Sequence, residues 1–206
     1  LIITCDADVA AGLGALCKIE PRFADVAEML SPLPLRLRPE GFGQVMSAIL
    51  GQQVSVASAN ATWARMVEAG MDQPENVVTA TPDDLRALGL SRQKALYAHE
   101  LAKAQIDYAG LRDLPDAEVI KTLTAVKGIG LWTAEIYAKF SLGRPDIFAA
   151  GDLALQIAAQ DLFALPERPK EKDLRKMAAA WTPWRSVAAR LLWAYYADIK
   201  QRDGIR

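Results

Sequence analysis

The chain has 206 residues, 51% of them hydrophobic, with 24 basic against 25 acidic side chains and a formal net charge of −1. That is enough apolar material for one or two cored lobes, yet the charge is too balanced for the basic footprint usual in nucleic-acid binders. Two cysteines and one histidine exclude a four-thiolate cluster and a structural zinc site, and no run approaches the ~20 apolar residues of a membrane span. The start, LIITCDADVA, lacks the basic flank of a secretory signal, so a cytoplasmic protein without membrane contact is expected.

In chain order, residues 6–18 read as a helix capped by Asp6, and residues 23–30 as a shorter one after Pro21. Three prolines in SPLPLRLRPE (31–40) forbid helix there and suggest an extended link at a lobe boundary. Phe42, Val45, Met46, Ile49 and Leu50 then fall at helical spacing, Gly51 ends that run, and Gln52-Gln53 form a corner. A helix resumes from Val54 through Met66 and stops by Gly70. In TPDD (81–84), Thr81 is placed to cap, Pro82 to sit at the first helical position, and Asp84 to complete the cap from three residues on. Ser91 caps the next helix, expected to reach about Asp107, and Pro115-Asp116 starts another through Ile120 and Leu123.

Residues 123–138 read LTAVKGIGLWTAEIYA: the end of one helix, a glycine-bounded connector at Val126–Gly130, and a second helix with apolar Ala134, Ile136, Tyr137 and Phe140. A turn this short calls for backbone angles that a Cβ penalises, and bare backbone lets another molecule approach. The second helix begins with unpaired N–H groups and a partial positive charge, which suits an anion such as a phosphodiester. Asp152 follows Gly130 by 22 residues, in IFAAGDLALQIAAQ, heading a run with Leu153, Ile157 and Leu162 as apolar members. By itself it reads as an N-cap; capping and catalysis are compatible. A segment from Leu174 to Ala180 and a long C-terminal amphipathic helix, with Val187, Leu191, Leu192, Tyr195 and Ile199 near one face, complete the chain and should pack on the N-terminal helices. Helix signals outnumber strand signals throughout, so the fold is all-α. Its expected organisation is a lobe of residues 1–35 plus 150–206 and a central lobe of 36–149 that carries a helix-hairpin-helix at about 118–140.

The string KGIGLWTA, with the downstream Asp152, resembles the helix-hairpin-helix DNA glycosylase superfamily. ILGQQVSVA and LGLSRQKALYAHELA extend that resemblance to its alkylpurine branch, the 3-methyladenine DNA glycosylase II type, over roughly residues 15 to 200. It implies two helical lobes with an active-site cleft between them, and a monomer acting on double-stranded DNA that contains damaged bases. Asp152 is then the catalytic aspartate, stabilising the positive sugar or activating water, Trp132 and Trp193 wall the base pocket, and Ile136 stands where the family often has a stacking tyrosine. Gln52 contacts bases beside the lesion and Gln53 takes the wedge position. Gly128, Gly130 and the Thr133 hydroxyl grip the strand. The carbonyls of Thr124, Val126 and Ile129 are where a Na+ or K+ would sit, with no other cofactor required. Trp132 occupies the place of the lysine used by members that also cut the backbone, so a monofunctional enzyme is expected. The phosphate-attracting charge is sought in Arg168, Lys170, Lys172, Arg175, Lys176, Arg185 and Arg190. Removal of oxidised or mismatched bases, and a non-catalytic DNA-binding module, remain as alternatives; the lesion range is open.

Overall fold

In the computed structural model, which describes residues 1–202, the regular elements are helices and short 3-10 turns, with no strand among the described residues. In chain order they are α1 (Asp6–Ile19), α2 (Ala24–Leu30), α3 (Phe42–Leu50), α4 (Val56–Glu68), α5 (Pro74–Thr79), α6 (Pro82–Ala87), α7 (Arg92–Lys103), α8 (Asp116–Thr124), α9 (Leu131–Phe140), α10 (Leu153–Leu162), α11 (Glu171–Ala178) and α12 (Arg185–Arg202). The expected residues 203–206 of the terminal lobe lie outside the described residues.

Contacts divide the chain into two units, Arg38–Tyr137 and Leu1–Leu37 with everything from Ala138 onward. The first division falls in the proline-rich link, near the expected one. The second falls within α9 instead of at residues 149 and 150, so a continuous helix, with no change of composition to mark it, carries the chain from one unit into the other.

In the unit built from both ends of the chain, α12 packs on α10, α1 and α2. Val187, Leu191 and Leu192 of α12 are fully buried, and Tyr195 nearly so. Gly12 lets α1 approach closely: a Cβ there would stand 2.6 Å from the Trp184 ring. Below this lies an aromatic cluster in which Trp181 meets Phe23, Phe148 and Phe163 at centroid distances of 5.2, 5.4 and 5.7 Å. In the central unit, α3 packs on α4 and α7, and α5 and α6 also pack on α7. Val45, Met46, Ile49 and Leu50 form the buried stripe of α3, and Tyr137 closes it to the preceding loop, its hydroxyl accepting from Gly41 N–H at 2.9 Å.

Local chemistry accounts for most helix ends. Thr81 and Asp84 form a reciprocal cap on α6, with Asp84 N–H donating to Thr81 Oγ1 at 3.2 Å and the Asp84 carboxylate accepting Thr81 N–H at 2.8 Å. Several boundaries differ from expectation. α1 is capped at Cys5, with Asp8 reaching back to the N–H groups of Thr4 and Cys5. α4 starts at Val56 behind a Ser55 cap, leaving Val54 exposed. α7 ends at Lys103 because Gln105 turns left-handed, with φ 45°. α5 has almost no signal in the sequence, since six residues are too few to show a helical period and only Pro74 at its first position marks it. On α10 the buried residues are Leu155, Ala158 and Ala159, while Leu153 is 53% exposed.

Replacing Trp181 by alanine removes the ring that three phenylalanines contact, and should cost about 3–5 kcal/mol of stability, read as a lower denaturant midpoint. An unchanged midpoint would contradict the packing described here.

Candidate active site

The hairpin lies in the central unit. α8 ends at Thr124, and Val126 N–H donates to Leu123 O at 3.2 Å as the chain turns. Ile129 N–H then donates to Val126 O at 3.1 Å, and Ala134 N–H to Gly130 O at 3.1 Å as α9 begins. Val126 and Ile129 are buried and pin the turn from inside. Gly128 has φ 99°, and a Cβ there would run into the Tyr97 ring, so this glycine is required on both counts. Gly130 differs: its φ is not positive and a Cβ would meet nothing within 4 Å. Its backbone is exposed.

The glutamine corner is tied to this turn. Gln52 Nε2 donates to Gly128 O at 3.1 Å, which engages the side chain expected to read bases as a brace for the hairpin. Behind it, Lys94 Nζ donates to Leu50 O at 2.6 Å, and burial pushes that ammonium below the usual lysine range. Gln53 is exposed and left-handed, with φ 57°, a conformation that costs a side-chain-bearing residue roughly 1–2 kcal/mol and that presents it at the tip of the corner. Trp132, in the first turn of α9, is 44% exposed. Thr133 beside it is 4% exposed, so the hydroxyl expected to grip the strand is almost covered by protein. Ile136 is buried in the helix core.

Asp152 lies in the other unit, at the N-terminus of α10. Its Oδ1 accepts the N–H groups of Ala154 at 2.9 Å and Leu155 at 3.2 Å, so the cap read from sequence is formed. A third donor converges on the same oxygen: the indole Nε1–H of Trp193, on α12, at 3.2 Å. The sequence proposed both residues separately; the structure joins them by a hydrogen bond. Trp193 is half-buried, with Phe140 stacked at 5.7 Å and the Lys139 ammonium 4.4 Å from its ring centroid.

Side chains that no local pattern reveals hold the segment leading to Asp152. Arg185 binds Asp146 through two hydrogen bonds, at 2.7 and 2.8 Å. Ser186 Oγ accepts Ile147 N–H at 3.1 Å and lies 2.6 Å from Arg144 O, a donor distance. Arg175 Nη1 donates to Phe148 O at 3.2 Å, and Gln156 Nε2 to Ala150 O at 3.0 Å. These contacts join residues up to 42 apart in sequence, and only a folded chain exposes them. At the far end of α10, Tyr195 of α12 donates to Asp161.

They also correct the expected cationic cluster. Arg190 is 2% exposed and donates to Leu35 O and Ser186 O; burial, with Arg36 nearby, pulls its guanidinium down to about 10. Arg185 is engaged by Asp146, and Arg175 by Glu171. Arg168, Lys170, Lys172 and Lys176 remain exposed. Among the described residues no group of three or more His, Cys, Asp and Glu could hold a metal ion.

Comparison with known proteins places this geometry. Residues 46–184 match the family described as HhH-GPD superfamily base excision DNA repair protein. The alkylbase DNA glycosidase-like protein mag2 of Schizosaccharomyces pombe is 26% identical over 200 residues, spanning 91% of this chain and 94% of the relative. The crystal structure of a DNA-3-methyladenine glycosidase from Bacillus halodurans superimposes with a TM-score of 0.81 at 30% identity, covering 92% of this chain and 91% of that one. The Schizosaccharomyces pombe 3-methyladenine DNA glycosylase Mag1, solved in complex with abasic DNA, gives a TM-score of 0.70 at 28% identity over 90% of this chain and 95% of that one. With its glycine-turned hairpin and its aspartate-headed helix, the chain belongs to the HhH-GPD superfamily of base excision DNA repair proteins.

Proposed function

We propose that the protein is a monofunctional DNA glycosylase that excises alkylated purines from duplex DNA. The observation that carries the reading is the Asp152 carboxylate, fixed at the head of α10 by two backbone donors and the Trp193 indole. The names of the relatives, alkylbase and 3-methyladenine glycosylases, support the substrate class.

A paired base hides its glycosidic bond, so the nucleotide must swing out of the helix first. Gln53, held left-handed at an exposed tip, is the residue proposed to fill the gap, with Gln52 stiffening the corner through Gly128. The N–H groups of the hairpin at Gly128 and Gly130 are proposed to hold the strand beside the lesion. With three of the seven expected cations engaged within the protein, backbone donors take a large share of the phosphate contacts, and salt dependence should be shallow. The exposed Trp132 face suits a cationic purine, attracting it by about 2 kcal/mol once water is excluded.

An alkylated purine leaves as a neutral molecule, so its departure needs little acid catalysis. The barrier lies in the positive sugar, which the Asp152 carboxylate stabilises electrostatically while orienting the attacking water. At the hairpin, the carbonyls of Thr124, Val126 and Ile129 are hard oxygen donors of the kind that hold Na+ or K+. Val126 O already accepts Ile129 N–H at 3.1 Å, and the second lone pair of a carbonyl leaves room for such an ion. When bound, it would offset phosphate charge.

Two experiments test the reading. Asp152→Asn should slow single-turnover release of methylated purines by roughly 10²-fold or more while binding to abasic-site DNA is retained; equal rates would refute the assignment. Because Trp132 offers no amine at the head of α9, borohydride should trap no covalent enzyme–DNA adduct during turnover, and a trapped adduct would overturn the monofunctional reading.

A further inference from the structure

Helix α7 buries Ala95, Ala98, Leu101 and Ala102 against the central unit. Its outer face is a stripe at four- and seven-residue steps, Arg92, Leu96 and Lys103, all exposed. This stripe lines a hollow of about 840 Å³, and Lys127 of the hairpin turn lines the same hollow. The turn lies against the middle of α7, since a Cβ on Gly128 would stand 2.4 Å from the Tyr97 ring. Gln93 steadies that ring by donating to its hydroxyl.

The charge of the hollow is one-sided. Arg92, Lys103 and Lys127 line it against a single carboxylate, that of Glu100. Asp107, past the end of α7, turns its carboxylate to Gly110 N–H, 3.0 Å away. Among the described residues no side-chain hydrogen bond or ion pair engages the three cationic heads, whereas Arg175, Arg185 and Arg190 are held inside the protein.

We propose that the outer face of α7 carries the sugar-phosphate strand onward from the hairpin, with Arg92, Lys103 and Lys127 paired to its phosphates and Leu96 beneath a sugar. The inference rests on the reading of the hairpin as the grip on damaged DNA.

Spacing and charge both favour this occupant. At 1.5 Å per residue, Arg92 and Lys103 stand about 7 and 9 Å along α7 on either side of Tyr97, where the turn sits. A strand advances about 3.4 Å per nucleotide along the duplex axis. The two heads therefore address phosphates roughly two nucleotides to each side of the one that the hairpin holds, with Lys127 beside it. Three such contacts give a salt slope of about 2.7, which is shallow. They also let a chain of net charge −1 meet a polyanion, because the attraction is local.

The test uses the full chain and a duplex with a tetrahydrofuran abasic analogue, bound between about 50 and 200 mM salt. Arg92→Gln, Lys103→Gln and Lys127→Gln should each lower the slope of log affinity against log salt by about 0.9, so that each variant loses about threefold less affinity over that range. For the triple variant the difference should be roughly fortyfold. Lys18→Gln, the same loss of charge at an exposed site on α1, should keep the native slope. A neutral methylphosphonate at one phosphate within about three nucleotides of the analogue should weaken binding by the native protein but not by the variant that lacks its partner. This readout changes the DNA and not the fold. Native slopes in all three variants would leave the face to another occupant and overturn the proposal. An equal flattening in Lys18→Gln, or no phosphate coupled to any of the three, would overturn it too. If the native protein fails to bind the analogue duplex, the parent reading fails as well; if it binds, and Asp152→Asn blocks base release while the three slopes stay native, only this inference fails.

Discussion

Three donors on one carboxylate oxygen are the constraint on which the site depends. The N–H groups of Ala154 and Leu155 come from α10, and the Trp193 indole comes from α12. Their convergence requires the two helices to keep their registry, and the unit is built to hold it. Tyr195 of α12 bonds Asp161 at the far end of α10. Asp146 and Ile147, on the approach to Asp152, are secured by Arg185 and Ser186 at the start of α12. The same carboxylate completes the helix and carries the proposed charge for catalysis, so capping and chemistry reinforce each other.

What the sequence made legible was mostly local. Thr81, Pro82 and Asp84 announce α6 because their capping chemistry spans four consecutive residues. Gly128 announces the hairpin because only glycine accepts its φ beside the Tyr97 ring. Asp152 announces the head of α10. The failures were non-local or too short to have a period. Nothing around Gln52 shows that its amide is bonded to Gly128, which lies 76 residues away. Arg190 looks like a surface cation until Leu35 and Ser186 enclose it. Leu153 reads as core because it is apolar, but the face of α10 that packs is set by Leu155, Ala158 and Ala159. The change of unit inside α9 has no signature, since a helix needs no special residue to leave one core and enter another.

The near-neutral charge, at odds with a nucleic-acid partner, also takes on a physical meaning. Arg175 and Arg190 hold backbone carbonyls within the protein and Arg185 holds the Asp146 carboxylate, and a phosphate strand can instead be met by the bare amides of a glycine turn and the start of a helix. Lys139 is the counterpart in the interior, a cation placed among rings instead of on the surface. The distribution of positive charge in this chain is thus a matter of positioning as much as of attraction.

The most direct test of the central claim, that Asp152 stabilises a positive sugar, is affinity for mimics of that species. Duplexes carrying at one site either a cationic pyrrolidine or the uncharged tetrahydrofuran of the same shape should be compared by equilibrium binding to the native protein and to Asp152→Asn. If the carboxylate is complementary to developing charge, the native protein binds the cation more tightly than its neutral counterpart and the asparagine variant loses that preference. Equal affinity for both duplexes, or a preference that survives in the variant, would contradict the account.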